Sequence, residues 1–441
     1  MILAMRHGLD TIDASHGGAA PTEPSIFVAP DDPDVMPHTT AAAAPPIVKR
    51  PFIAMLIAIA AVSPLGINIY LPSMPGITRS LGVDFATIQL TLSLYLAAVA
   101  LGQLIIGPLS DRFGRRPVLL TGLLVFVIGS LICLAASSIG ILIFGRVVQA
   151  VGGCAGITLT RAIVRDLYGR DQAASMIGYV TMGMAVAPMV APTIGGVLET
   201  LYGWRAAFAF LMAFGGLVLL VASWQLHETN HNRGRGGAAR QLLRGYASLV
   251  RSRAFWGYTL TNGFSSAVFF AFIAGAAYVM VELMGRSPVE FGLYFAAVSS
   301  GYILGNFLSG RFAVRVGPDR MILAGTIMTL AGVAAMAAAF GAGLMHPIAL
   351  FGPMFFVGAG NGLVLPSGIA GAVSVRPEVA GAAAGLAGSV QIGFGALVAP
   401  LVGAMLDTTV WPLVTIMTVC SLLALAAFGL VGSRRKAAPG H

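Results

Sequence analysis

Residues 107–117 read Gly107-Pro-Leu-Ser-Asp-Arg-Phe-Gly-Arg-Arg-Pro117, a short polar turn between two long apolar runs. Gly107, Gly114 and Pro117 suit a tight reversal, because glycine and proline end helices and favour turns. Arg112, Arg115 and Arg116 fit a loop on the cytoplasmic side of a membrane, where basic residues accumulate. A basic turn alone does not account for Asp111, an acid set among three arginines. The flanking runs are each about 20 residues or more, the length that crosses a ~30 Å hydrocarbon core. The whole chain repeats this pattern. Of its 441 residues 57% are hydrophobic and 10% charged, and its mean hydropathy is +0.86. Soluble chains carry roughly 25% charged residues. The chain is therefore read as an all-α integral membrane protein embedded in the lipid bilayer.

Twelve spans are expected, at roughly 52–75, 84–108, 117–137, 139–163, 172–198, 204–226, 253–281, 288–313, 318–341, 346–370, 378–406 and 410–432. Residues 1–50, rich in acids, prolines and alanines, read as a disordered cytoplasmic tail, and Met36 is as good a start as Met1. The stretch 228–252 reads as a cytoplasmic linker between an N-terminal six-helix half, 51–227, and a C-terminal half, 253–433. Residues 434–441 form a second cytoplasmic tail. With both termini in the cytoplasm, Arg112, Arg115, Arg116, Arg161, Arg165, the linker arginines, Arg311, Arg315, Arg320 and Arg376 fall inside. Only Arg79, Arg205 and Arg286 then fall outside. The net charge of +9 belongs to this bias and not to a nucleic-acid partner.

Two short repeats support a duplication. Val190-Ala-Pro-Thr-Ile-Gly-Gly-Val-Leu198 matches Val398-Ala-Pro-Leu-Val-Gly-Ala-Met-Leu406, and Ser110-Asp-Arg-Phe113 matches Ser309-Gly-Arg-Phe312. Each pair occupies the same place in the two halves. Cys133, Cys154 and Cys420 lie within apolar runs and read as core fillers, so no metal or cofactor is expected. An intramembrane enzyme would need a nucleophile–base pair at depth. His346, the histidine near a span, has no acidic neighbour. A membrane sensor would need a larger cytoplasmic output domain than the tail or linker offers.

The 107–117 turn resembles the signature loop of the major facilitator superfamily, and twelve helices in two six-helix halves match that fold. The resemblance implies conformational gating by Gly107, Asp111, Arg112, Gly114, Arg115, Arg116 and Asp166. Asp111 would face a helix N-terminus in the other half, and Arg115 would pair with Asp166 at the end of the fourth span. Arg146-Val-Val-Gln149-Ala-Val-Gly152-Gly153 in the fourth span puts an arginine about seven residues, or ~10 Å, into the membrane. An arginine there is costly unless it snorkels, caps helix-end carbonyls or faces a functional cavity. The segment resembles the Arg-x-x-Gln motif of drug/proton antiporters, which implies a part in proton transfer. Ala187-Pro-Met-Val-Ala-Pro192-Thr-Ile-Gly195-Gly196, which includes Pro188, resembles the antiporter motif of exporters. It has Ala191 where many members carry glycine.

Asn68-Ile-Tyr70-Leu-Pro72-Ser-Met-Pro75, Ile88-Gln-Leu-Thr-Leu-Ser-Leu-Tyr95, Gly102-Gln103 and His227-Glu228-Thr229 narrow the branch. Together they look like the Bcr/CflA group of multidrug exporters, which includes the chloramphenicol and florfenicol exporters. Much of that group has an acid where this chain has Asn68, and an amide cannot release a proton. Asn68, Tyr70, Gln103, Arg146 and Gln149 are the expected substrate and proton pathway. The resemblance implies export of small amphipathic, phenicol-like drugs from the inner membrane by alternating access of a monomer. The proton gradient would be the energy source. Export of an endogenous metabolite such as a sugar or a purine is the alternative.

Overall fold

A computed structural model describes residues 53–168, 170–230 and 245–432. The expected tails, 1–50 and 434–441, and residues 231–244 of the expected linker lie outside the described residues. Among the described residues, twelve helical spans are long and apolar enough to cross a membrane. In chain order the helices are α1 (Ile53–Asn68), α2 (Met74–Leu81), α3 (Phe85–Phe113), α4 (Arg115–Leu134), α5 (Ile139–Leu167), α6 (Arg170–Tyr202) and α7 (Arg205–Gln225). They continue with α8 (Arg253–Tyr278), α9 (Pro288–Val316), α10 (Pro318–Gly341), α11 (Pro347–Ser374), α12 (Ala380–Met405) and α13 (Trp411–Gly432).

The first span, expected as one helix, is broken. Helix α1 stops at Asn68, a 3₁₀ turn covers Leu71–Ser73, and α2 carries on to Leu81. Pro72 and Pro75 supply no backbone N–H to an α-helical ladder, so the hydrogen bonding breaks where they fall. The seventh span likewise ends in a π turn, Val279–Leu283.

Helices of the first half pack mainly on one another, as α4 does on α5 and α7, and α1 on α6. Those of the second half do the same, α9 and α10 on α11 and α13 on α8. Two seams join the halves, α3 against α12 and α6 against α9. Advancing six spans along the chain converts one seam into the other, the relationship a duplicated six-helix unit produces. The turns after α3 and α9 agree as well. Gly114 has φ 102° and ψ 153°, Gly317 φ 87° and ψ 150°, a conformation that glycine alone adopts without strain.

Polar and aromatic contacts bridge the seams at one end. Toward the ends carrying Arg79 and Glu282, Arg79 Nη1 meets Glu282 Oε1 at 2.5 Å. Gln89 Nε2 donates to the Ala274 carbonyl at 2.6 Å, and Thr193 Oγ1 donates to the Gly292 carbonyl at 2.9 Å. The Phe85 and Tyr278 rings lie 4.4 Å apart there. At the opposite, arginine-rich end, side chains built onto Gly107 in α3 or Gly381 in α12 would meet open space.

Candidate functional site

Arg146 is fully buried, on the face of α5 that meets α1, α3 and α4. Its Nη1 donates to Gly66 O at 2.9 Å and to Gln149 Oε1 at 2.5 Å. Gln149 in turn donates from Nε2 to Ser130 Oγ at 2.8 Å. The guanidinium carbon lies 4.1 Å from the ring centres of both Tyr70 and Tyr95, and its Nε and Nη2 find no acceptor. A buried arginine needs compensation. Here π faces, one carbonyl and one amide provide it in place of a carboxylate.

Asn68 sits at the end of α1 but turns inward on its own helix, donating from Nδ2 to Pro64 O at 2.8 Å. The expected pathway residues thus divide. Tyr70, Arg146 and Gln149 form one cluster, with Tyr95 as a further wall. Asn68 makes no hydrogen bond to Arg146. Gln103 stands apart, on α3 opposite Gly388 of α12 at the seam.

A cavity of about 180 Å³ lies between the halves. Its apolar wall includes Pro64, Met184, Pro188, Phe269, Phe270 and Leu365. Its polar groups are Thr181, Ser266, Ser299, Tyr302, Asn361 and Gln391. Both amide atoms of Asn361 and Oγ of Ser266 are buried without a hydrogen-bond partner. Buried polar atoms are ordinarily satisfied, so a hydrogen-bonding guest suits this wall. Among the described residues no Asp or Glu lines the cavity. Asn361 and Gln391 stand out in the sequence as polar residues within apolar spans, but two phenylalanines among many carry no signal of where they point.

At the arginine-rich end, Arg115 gathers the turn. It meets Asp166 Oδ2 through Nε at 3.0 Å and Asp111 Oδ1 through Nη1 at 2.5 Å, and donates to Ser110 Oγ at 2.6 Å. Glu228 accepts the backbone N–H groups of Arg115 at 2.8 Å and Arg116 at 3.2 Å. Its carboxylate thus sits on the positive end of α4. Arg116 donates from Nη2 to Ser223 O at 2.9 Å. Thr229 Oγ1 donates to Asp166 at 3.2 Å, and Asn230 Nδ2 to Asp111 O at 3.1 Å.

Asp111, expected against a helix of the other half, is held within its own. Its near cation is Arg115, one turn on. The sequence had marked His227-Glu228-Thr229 only as a family feature. An acid just past a helix end gives no hint that it caps a helix two spans earlier.

In α6, Pro188 lines the cavity, while Gly195 and Gly196 lie at the closed end. A Cβ on Gly195 would collide with the carbonyl oxygen of Ile69, in the break of the first span. One on Gly196 would collide with the Pro288 carbonyl of α9, and one on Gly292 with the backbone of Thr193. Gly196 therefore brings backbones together across a seam, and Gly195 does so within the first half. Pro192 adjoins this contact, with its carbonyl 2.6 Å from where a Gly292 Cβ would stand.

Two six-helix units with paired seams around a central cavity match what comparison with known proteins finds. The profile described as Major Facilitator Superfamily matches residues 56–391. The chain belongs to the major facilitator superfamily. This transporter is 34% identical over 377 residues to the chloramphenicol resistance protein of Pseudomonas aeruginosa, covering 83% of this chain and 86% of that one. It is 31% identical over 385 residues to the bicyclomycin resistance protein homolog of Haemophilus influenzae, covering 87% and 96%. Its fold is similar to that of a bacterial homolog of the human lysosomal transporter Spinster in an inward-facing, occupied conformation. The TM-score is 0.65 at 18% identity, over 87% of this chain and 96% of that one. This transporter is thus a multi-pass membrane protein of the major facilitator type and not an enzyme.

Proposed function

We propose that this transporter exports small amphipathic compounds, phenicol-like antibiotics among them, across the bacterial inner membrane in exchange for protons. The termini and the arginine-rich end face the cytoplasm, as the loop charges favour, so the central cavity loads from inside. A single chain forms the working unit. Rocking of the two halves opens the seams at the Arg79–Glu282 end and closes them at the Asp111 end. Arg115 and Asp166 gate that step. The observation that carries this reading is the cavity itself. Phe269 and Phe270 offer an aromatic wall beside the unpartnered Asn361 amide and Ser266 hydroxyl. A drug with an aryl ring, an amide and hydroxyl groups complements both. The named relatives, resistance proteins for chloramphenicol and bicyclomycin, favour the same class.

Asn68 cannot titrate, so the proton rides on another group, and the Arg146–Tyr70–Tyr95 cluster is the site that governs its passage. The test is chloramphenicol-induced proton movement in inside-out vesicles, with wild type beside Asn68→Asp. Movement in the wild type is expected. Silence in the wild type with a signal in Asn68→Asp would mean that exchange for protons has been lost at this position. Silence in both, with no drug uptake, would overturn drug export in favour of a metabolite.

A further inference from the structure

Arg161 lies about two turns short of the end of α5 at Leu167, toward its arginine-rich end. It lines a small pocket with Ala60, Thr160, Ile177, Thr181 and Met184. Thr181 and Met184 also line the central cavity, so the two spaces adjoin. Arg161 interacts electrostatically with Tyr302 of α9, which is itself a cavity wall in the other half. The near charged neighbour on its own helix is Arg165, another cation, whose Nε donates to the Arg161 carbonyl. Asp166 is engaged by Arg115, and among the described residues no carboxylate pairs with Arg161.

We propose that this cavity selects neutral and anionic amphipathic aromatic compounds over lipophilic cations, with the Arg161 guanidinium as the selecting charge. The proposal rests on the export reading above and names the substrate class of that site. Phe269 and Phe270 alone would receive a cation as readily as a neutral ring. A lipophilic cation, however, needs an acid or an undisturbed aromatic face, and this cavity provides no acid. It adjoins a fixed positive charge set among apolar side chains, where repulsion is less screened than in open water. Arg146, buried behind the same half with no carboxylate, adds the same sign. A carboxylate on the substrate gains a charge-assisted hydrogen bond from Arg161, which a neutral substrate does without. The rest of the molecule reaches Ser266 and Asn361. Discrimination by a charge built against the wrong ligand is specificity by repulsion.

The experiment uses inside-out vesicles containing the full chain, energised by a pH gradient, with the electrical potential clamped by potassium and valinomycin. Uptake is measured for chloramphenicol (neutral), nalidixate (an aromatic carboxylate) and tetraphenylphosphonium (a lipophilic cation). Wild type should take up the first two and leave the cation at background. Arg161→Glu should raise the cation-to-carboxylate uptake ratio at least ~10-fold, which corresponds to about 1.4 kcal/mol. Arg161→Gln should lose most nalidixate uptake while keeping chloramphenicol, which also reports an intact fold if Arg161→Glu fails to assemble. Wild-type uptake of tetraphenylphosphonium as fast as of chloramphenicol would overturn the proposal. So would an unchanged ratio in both variants with chloramphenicol uptake preserved. Uptake of none of the three by wild type would overturn the export reading, and this inference with it.

Discussion

The guanidinium carbon of Arg146 stands 4.1 Å from the centre of the Tyr95 ring, inside a membrane-spanning bundle with no carboxylate in its shell. A desolvated cation over an aromatic face gains about 2 kcal/mol. Tyr95→Leu should therefore destabilise the protein by about that amount, seen as a lower melting temperature in detergent. Tyr95→Phe keeps the ring and should sacrifice only the weak contact of its hydroxyl with Ser63, 3.4 Å away. Equal melting of wild type and Tyr95→Leu would refute the ring's role. Arg146→Ala should abolish drug efflux in a chain that still folds.

Arg115 holds Asp111 and Asp166 at once, so the two acids are energetically coupled. Asp111→Asn and Asp166→Asn should each slow turnover severalfold with KM nearly unchanged, because neither lines the cavity. The double variant should be less impaired than the product of the singles, since residues that share a partner are non-additive. Transport kinetics of the four proteins form the cycle, and strict additivity would disconnect the two acids.

The backbone contact at Gly196 leaves no room for a methyl group. Overpacking of this kind costs roughly 1–3 kcal/mol, charged only to the conformation with this seam closed. Gly196→Ala and Gly292→Ala should each shift the population towards opening at the Arg79–Glu282 end. A Tyr278→Cys reporter in those backgrounds should label severalfold faster with an impermeant maleimide. The native Cys133, Cys154 and Cys420 are buried and give little background. No change in labelling would mean that the seam does not open there.

Two polar bridges at the same end should differ in weight. Arg79 and Glu282 are 62% and 35% exposed, and such pairs are worth about 0–1 kcal/mol and weaken with salt. Gln89 is fully buried, and its removal deletes a buried hydrogen bond worth about 0.5–1.5 kcal/mol that salt does not screen. In the labelling assay, Gln89→Leu should exceed Arg79→Ala, and only the latter effect should fade at high salt.

Asp84 caps α3 by accepting the Thr87 N–H at 3.1 Å, and that hydrogen bonding holds its carboxyl below the usual carboxylate range. A lowered value in the folded state means stabilisation that is complete above the ordinary Asp range and lost as pH falls through it. The melting difference between wild type and Asp84→Ala should therefore vanish in acid. A pH-independent difference would point to packing instead.

The twelve spans were readable because hydrocarbon length and apolar run length are one constraint, and the 107–117 turn carried its own family mark. Arg146 and Gln149 were legible for a related reason: polar groups three residues apart on an apolar helix must share a face. Arg161 sits near the expected end of the fourth span, and a positive-inside count does not say which way such an arginine points. Glu228 and the cavity wall of Phe269, Phe270 and Ser266 escaped because both depend on which helices become neighbours. Local sequence does not encode that pairing. Asp111 meets Arg115 one turn on in its own half, a local ion pair that the family resemblance did not suggest.

The break in the first span has a mechanical meaning. Interrupted helices usually bend, yet this one is fastened on every side. Gly66 O is held by Arg146, the Ile69 carbonyl packs against Gly195, and the Tyr70 hydroxyl lies 3.4 Å from that of Thr91. The kink is therefore splinted to α5, α6 and α3 and has no freedom to act as an elbow. The whole first half must swing as one lever, and the distance between spin labels placed on α1 and α2 should stay constant while labels across the seams move apart.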